Sequence, residues 1–218
     1  PLRILDEREK LLEDATHVSA DVGRVFAPPP PSGDVPWRVH VMIMLGYSRD
    51  YGSCGFTAHN GDSERVALNL EARLEIVAAF TTAHEGTVND KSTVWSGTGL
   101  RDLTWREVDG VPRWAVYPSR DKHGTYGTLA QCEGVSSLPC LRESCAPDGV
   151  PNPEDFELLP PAFNAGEQAS PLLTDLSGIG FPGDDAWVDQ PFCGGLARTG
   201  GCSASVRSKL LNDPFGAW

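Results

Sequence analysis

Apolar and polar residues alternate along several short stretches of the chain, and that period of two is the signature of half-buried strands. In Trp37–Leu45, positions 37, 39, 41, 43 and 45 are all apolar, while Arg38 and His40 fall on the other face. Met42 and Met44 interrupt the alternation at the far end, which predicts burial on both faces there. A turn-rich loop is expected over Gly46–Gly61. Glu64–Leu70 then alternates again, and Leu74–Phe80 follows with Leu74, Ile76, Ala78 and Phe80 on one face. Leu103–Val108 and Val111–Tyr117 flank Asp109-Gly110, the dipeptide of a two-residue hairpin turn.

Between these runs the signals are those of loops. Pro1–Val25 is charged, with apolar residues at Leu2, Ile4, Leu5, Leu11 and Leu12, and suits a short helix or an extended arm. The run Ala27-Pro28-Pro29-Pro30-Pro31-Ser32-Gly33 reads as a polyproline-type spacer. Residues 1–36 are therefore expected as an N-terminal arm and 37–218 as a single domain. Gly134–Gly183 is mostly Pro, Gly, Ser and acidic residues, long for a structureless loop in a compact domain. Ala204–Leu211 suits one short helix, stopped near Pro214. With Gly 23 and Pro 18 in 218 residues, this pattern predicts a mostly β protein. The expected architecture is an antiparallel β-sandwich with long disulfide-stapled loops and one or two short helices.

Charge and cysteine content narrow the setting. Lys+Arg 18 against Asp+Glu 30 gives a formal charge of −12, which repels nucleic acid and anionic lipid and attracts divalent cations. The six cysteines (54, 132, 140, 145, 193 and 202) have no zinc-finger spacing and read best as three disulfides made in an oxidising compartment. Spacing does not fix their pairing; the expectation is two local bridges, Cys140–Cys145 and Cys193–Cys202, with Cys54–Cys132 closing the long loop. No stretch approaches the ~20 apolar residues of a membrane span. The charged start carries no signal peptide, so a chain beginning at Pro1 reads as a processed or trimmed product. A secreted monomer is expected.

The densest chemical signal is His59-Asn60-Gly61-Asp62-Ser63-Glu64. If a strand begins at Asp62, Asp62 and Glu64 share a face, where two carboxylates repel unless a cation or an arginine joins them. His59, on the preceding loop, would fold over the same point. One imidazole and two carboxylates suit Mg, Ca or Mn. Asp50 is a further candidate ligand. The bland alternative is a polar strand entry, with Asp62 capping the turn and Glu64 paired to an arginine. His84 and His123 are the candidate general bases, since imidazole exchanges protons near neutral pH; Asp121, two residues before His123, is placed to orient it. Each is equally readable as a polar strand-end residue. Ser119 and Ser136 lie in no nucleophile elbow, and no P-loop or dinucleotide fingerprint occurs. Trp95, Trp105, Trp187 and Trp218 would stack on sugars if exposed and otherwise pack in the core.

These residues also carry a resemblance. Gly46-Tyr47, Gly55-Phe56 and His59-x-Gly61-Asp62-x-Glu64 resemble the H-x-G-D-W-E core of the vacuolar protein sorting-associated protein 62 family, with Ser63 in place of the usual Trp. Ala83-His84-Glu85-Gly86, then Trp114-x-Val116-Tyr117-x-Ser119 and His123-Gly124-x-Tyr126, resemble later segments of that family, with Arg120–Lys122 inserted between Ser and His. Asp185-x-Trp187 and Gly194-Gly195 resemble its closing region. The likeness spans roughly Gly46–Gly195. The His, Asp and Glu spacing is also similar to part of the necrosis- and ethylene-inducing cytolysins, although their second His and their Trp are missing. That resemblance implies a β-sandwich with His59, Asp62 and Glu64 on a divalent cation used at a target membrane.

Two functions follow as expectations. One is a secreted, divalent-metal-dependent hydrolase of an extracellular lipid, glycan, phosphoester or other small-molecule substrate, with His123 or His84 as base. The other is a non-catalytic module that binds lipid or glycan through the cation. A structural protein whose acidic cluster tightens a loop is the third possibility.

Overall fold

The computed structural model describes residues 19–26, 38–50, 52, 54, 59–71, 73–87, 89–108, 110–120, 122–134, 136, 140, 142–145, 163–164, 204–205, 208–209 and 212–215. The side chains of 19–26, 44–49, 59–62, 108, 111 and 163–164 lie outside that description. Among the described residues there are ten strands: β1 (Ser19–Phe26), β2 (Arg38–Asp50), β3 (His59–Glu71), β4 (Ile76–Thr81), β5 (Thr93–Ser96), β6 (Thr104–Val108), β7 (Val111–Ala115), β8 (Tyr117–Pro118), β9 (Thr125–Tyr126) and β10 (Phe163–Asn164). They form one six-stranded sheet, ordered β10-β1-β2-β3-β4-β5, and two ribbons, β6-β7 and β8-β9. All pairings are antiparallel except β1 with β10. A short α-helix, α1, spans Leu129–Glu133, and the Thr128 hydroxyl caps its first turn by accepting from the Gln131 amide. Among the described residues no helix is long and apolar enough to cross a membrane.

The expected strands are present with shifted limits. β1 lies within the stretch expected as an arm and pairs along β2. β2 and β3 run to Asp50 and from His59, so the loop expected over Gly46–Gly61 shrinks to the residues between them. Leu74 belongs to no strand: its amide closes a turn onto the Glu71 carbonyl, its φ is +63°, and it is exposed. The Asp109-Gly110 hairpin forms as the dipeptide predicts, with Val108 opposite Val111. Residues 163 and 164, inside the long Pro/Gly-rich stretch, supply β10.

The buried face of β2 is not the one that alternation selects. Ile43 is 40% exposed, whereas His40 and Met42 on the other face are 0% and 1% exposed. The cause is a cover that comes from far along the sequence. Met42, Ala67 and Phe80 form one row across β2, β3 and β4, and Phe215 packs on that row. Phe215 also meets the His40 ring edge-on at 5.1 Å. Before it, the Lys209 amide donates to the Ser205 carbonyl and Asn212 to Ser208, the helical turn that the tail sequence predicts. A second cluster of Ala83, Tyr117, Tyr126, Cys132 and Cys145 joins α1 to the β8-β9 ribbon.

The disulfides differ from the expected pairing. Cys54 is joined to Cys140 and Cys132 to Cys145. Cys140 and Cys145 serve different partners because Cys145 pairs as a β-bridge with Ser119, which sets it beside α1. Cys193 and Cys202 lie outside the described residues.

Candidate functional site

Two turns and one disulfide-anchored segment meet beside β4. His84 follows the end of β4 in a turn closed by Thr87, whose amide and hydroxyl both donate to the His84 carbonyl. The loop of the β8-β9 ribbon spans Ser119–Gly124; Ser119 donates to the Gly124 carbonyl and His123 to that of Ser119. His84 and His123 both have left-handed backbones, at φ +59° and +57°. Non-glycine residues rarely adopt this region, and such conformations gather at functional sites. Glu143 lies between the half-cystines at 140 and 145, and its neighbour Ser144 accepts from the Arg120 amide at 2.7 Å.

Glu143 is the centre of this arrangement. Its Oε1 lies 3.0 Å from His84 Nε2 and 3.2 Å from Lys122 Nζ. The carboxylate is 1% exposed and the His84 side chain 21%, so the imidazole stands between a buried acid and solvent. Burial pushes the Glu143 carboxyl up. The hydrogen bond and charge of His84, the nearby Ser119 hydroxyl and the Lys122 ammonium outweigh it, holding the group below the ordinary carboxylate range. An ionised Glu143 accepts only, so His84 carries its proton on Nε2. Proton exchange with a substrate would then run through Nδ1.

Tyr126, on β9, is fully buried beside this group. Its hydroxyl makes no hydrogen bond among the described residues. Burial, then the charges of Glu143 and Glu64, push its ionisation well above the ordinary phenol range. The approach to it is tight, since a Cβ on Gly124 would sit 3.2 Å from the Tyr126 hydroxyl oxygen.

A second buried charge group adjoins the first. The Thr82 hydroxyl donates to Glu64 Oε2, and Lys209 Nζ lies 3.8 Å from the same oxygen while donating to the Ser63 carbonyl. Next to it Arg65 forms a two-point pair with Glu85, at 3.1 and 2.6 Å. Its remaining nitrogen donates to the carbonyls of Lys209 and Asn212. Four charged side chains thus tie the C-terminal segment to β3 and to the turn after β4.

The predicted residues fall into two groups. His84 joins Glu143 and Lys122, and His123 is in the same loop as Lys122. Glu64 is held by Thr82 and Lys209. Asp50 accepts from the Gly52 amide, which is the turn role. Asp50 and His59 are direct cross-strand partners, and Asp62 lies opposite Tyr47. Register is unbroken from 59 to 71, so His59 belongs to β3 rather than to a preceding loop, and positions 62 and 64 share a face of the strand that position 59 does not. The side chains of His59 and Asp62 lie outside the described residues, as does Asp121. Among the described residues no three of His, Cys, Asp and Glu are grouped to hold a metal ion. Sequence inspection missed Glu143, Lys122 and Tyr126; the available signal was an acid set between two cysteines and a lysine beside a candidate histidine.

No family model matches the chain, and no curated protein or solved structure matches it either.

Proposed function

We propose that the chain is a secreted hydrolase of an extracellular lipid, glycan or phosphoester, with His84 as general base and Glu143 behind it. The observation that carries this reading is the 3.0 Å contact from a buried, ionised carboxylate to a partly exposed imidazole. Such a carboxylate fixes the ring tautomer and stabilises the imidazolium formed when the base takes a proton from water, the role of the acid in hydrolytic triads. Lys122 shares the carboxylate and offsets its charge. Two described disulfides agree with an oxidising compartment. Closure of the strands into a sandwich belongs to the same reading.

The test is turnover against a panel of chromogenic carboxyl esters, phosphoesters and glycosides. His84→Ala is expected to lower kcat on the accepted substrate by about 10²–10⁴-fold, the usual contribution of a general base. Unchanged turnover in that variant overturns the assignment. Binding to vesicles or glycans with no turnover of any probe favours the non-catalytic module.

The metal-dependent form of the reading draws support from one observation, the direct pairing of Asp50 with His59. Of the four expected ligands His59, Asp62, Glu64 and Asp50, the pair Asp50 and His59 would hold Mg, Ca or Mn from one strand face, while positions 62 and 64 belong to the other; the cation would lower the pKa of bound water. Calorimetric titration with each ion tests it, and no heat with any of the three removes it.

A further inference from the structure

The β6-β7 ribbon sets two like charges directly opposite each other. Arg106 and Arg113 are direct cross-strand partners, and both are exposed. Partners of this kind lie about 4.5–5.5 Å apart between Cβ atoms, where like charges destabilise the pair. Neither arginine forms an ion pair among the described residues. Acidic side chains outnumber basic ones 30 to 18 in this chain, so two adjacent arginines with no ion pair among the described residues stand out.

The ribbon is also tied to the strand pair that carries Tyr126. Thr104 and Ala115 are the next cross-strand partners on the same face of the ribbon. The Tyr117 hydroxyl donates to Thr104 Oγ1 at 2.8 Å, and Tyr117 is the cross-strand partner of Tyr126. Arg106 thus lies two residues along β6 from Thr104, the residue through which the ribbon is bonded to the β8-β9 pair. On the opposite face Trp105 is 41% exposed, opposite Trp114.

The geometry points to Arg106 and Arg113 as a clamp for a phosphate group, held by charge-assisted hydrogen bonds from two guanidinium forks. The anion would relieve the repulsion that the free ribbon carries. This deepens the hydrolase reading, and rests on it, in naming a substrate with an anionic phosphate. The phosphate group is shared by free phosphoesters and phospholipid headgroups.

The experiment titrates the full chain with inorganic phosphate, and separately with phosphatidylcholine vesicles containing phosphatidic acid, while following the Arg106 and Arg113 signals by NMR. Wild type should respond to phosphate, and Arg113→Gln should weaken binding by about tenfold or more, as loss of one charged hydrogen-bonding partner does. Without phosphate, Arg106→Gln and Arg113→Gln should each unfold at a higher temperature than wild type. A vesicle response identifies the headgroup as the source, and a response to phosphate alone identifies a soluble phosphoester. Silence in both arms, equal binding by the glutamine variants, or lower stability in both of them overturns the clamp. Binding is read without turnover, so intact binding in a chain that hydrolyses nothing counts against the hydrolase alone.

Discussion

Burial by itself would keep the Glu143 carboxyl protonated above the usual carboxylate range, and only its partners reverse that. Its folded-state pKa lies below its unfolded value, so the stability it contributes is full above the unfolded value and is lost as pH falls through the folded one. Acid titration of unfolding should therefore show a loss below about pH 4.5 that Glu143→Gln removes. At neutral pH the same substitution leaves Lys122 buried without its counter-charge and should cost about 3 kcal/mol, measurable by urea unfolding. Tyr126 has the opposite sign. Its pKa is raised, so its contribution is complete below the unfolded value near 10 and declines above it. In alkaline difference spectra one tyrosine should stay un-ionised until the chain unfolds, and Tyr126→Phe should abolish that late component. Because the phenol has no hydrogen-bond partner among the described residues, Tyr126→Phe is expected to leave stability unchanged or raised.

The C-terminal segment explains which elements the sequence reveals and which it hides. Strand positions follow from alternation, because each pleat has to bury something, and β2, β3, β4 and the β6-β7 hairpin were all legible. The choice of face was not. His40 falls on the polar side of the alternation, yet it and Arg65 are buried because Phe215, Lys209 and Asn212 arrive from far along the chain to cover and pair them. Local pattern carries no record of such a partner. Arg65→Met should leave Glu85 without its two-point partner and cost about 3–5 kcal/mol, read as a fall in the denaturant midpoint. The disulfide pairing was hidden for the same reason, since it depends on where α1 and Ser119 stand. Replacing Cys132 and Cys145 by alanine should cost about 3 kcal/mol, the loop-closure value for a short bridge, and should loosen the segment that bears Glu143.

At the scale of the whole molecule, two buried charge groups among the described residues both act on Tyr126. One, around Glu64, fastens the C-terminal segment; the other, around Glu143, reaches solvent through His84. The histidines at 84 and 123 were legible as candidates from residue type. Their acid was not, because Glu143 lies 59 residues from His84 in sequence and only the fold joins them. The carboxylate–imidazole contact is the claim on which the hydrolase reading rests, and ring-nitrogen NMR tests it most directly. With the His84 side chain labelled by nitrogen-15 at neutral pH, the proton should reside on Nε2, and Glu143→Ala should turn this into a mixture of tautomers. A proton on Nδ1 in the wild type, or a spectrum that Glu143→Ala leaves unchanged, would contradict it.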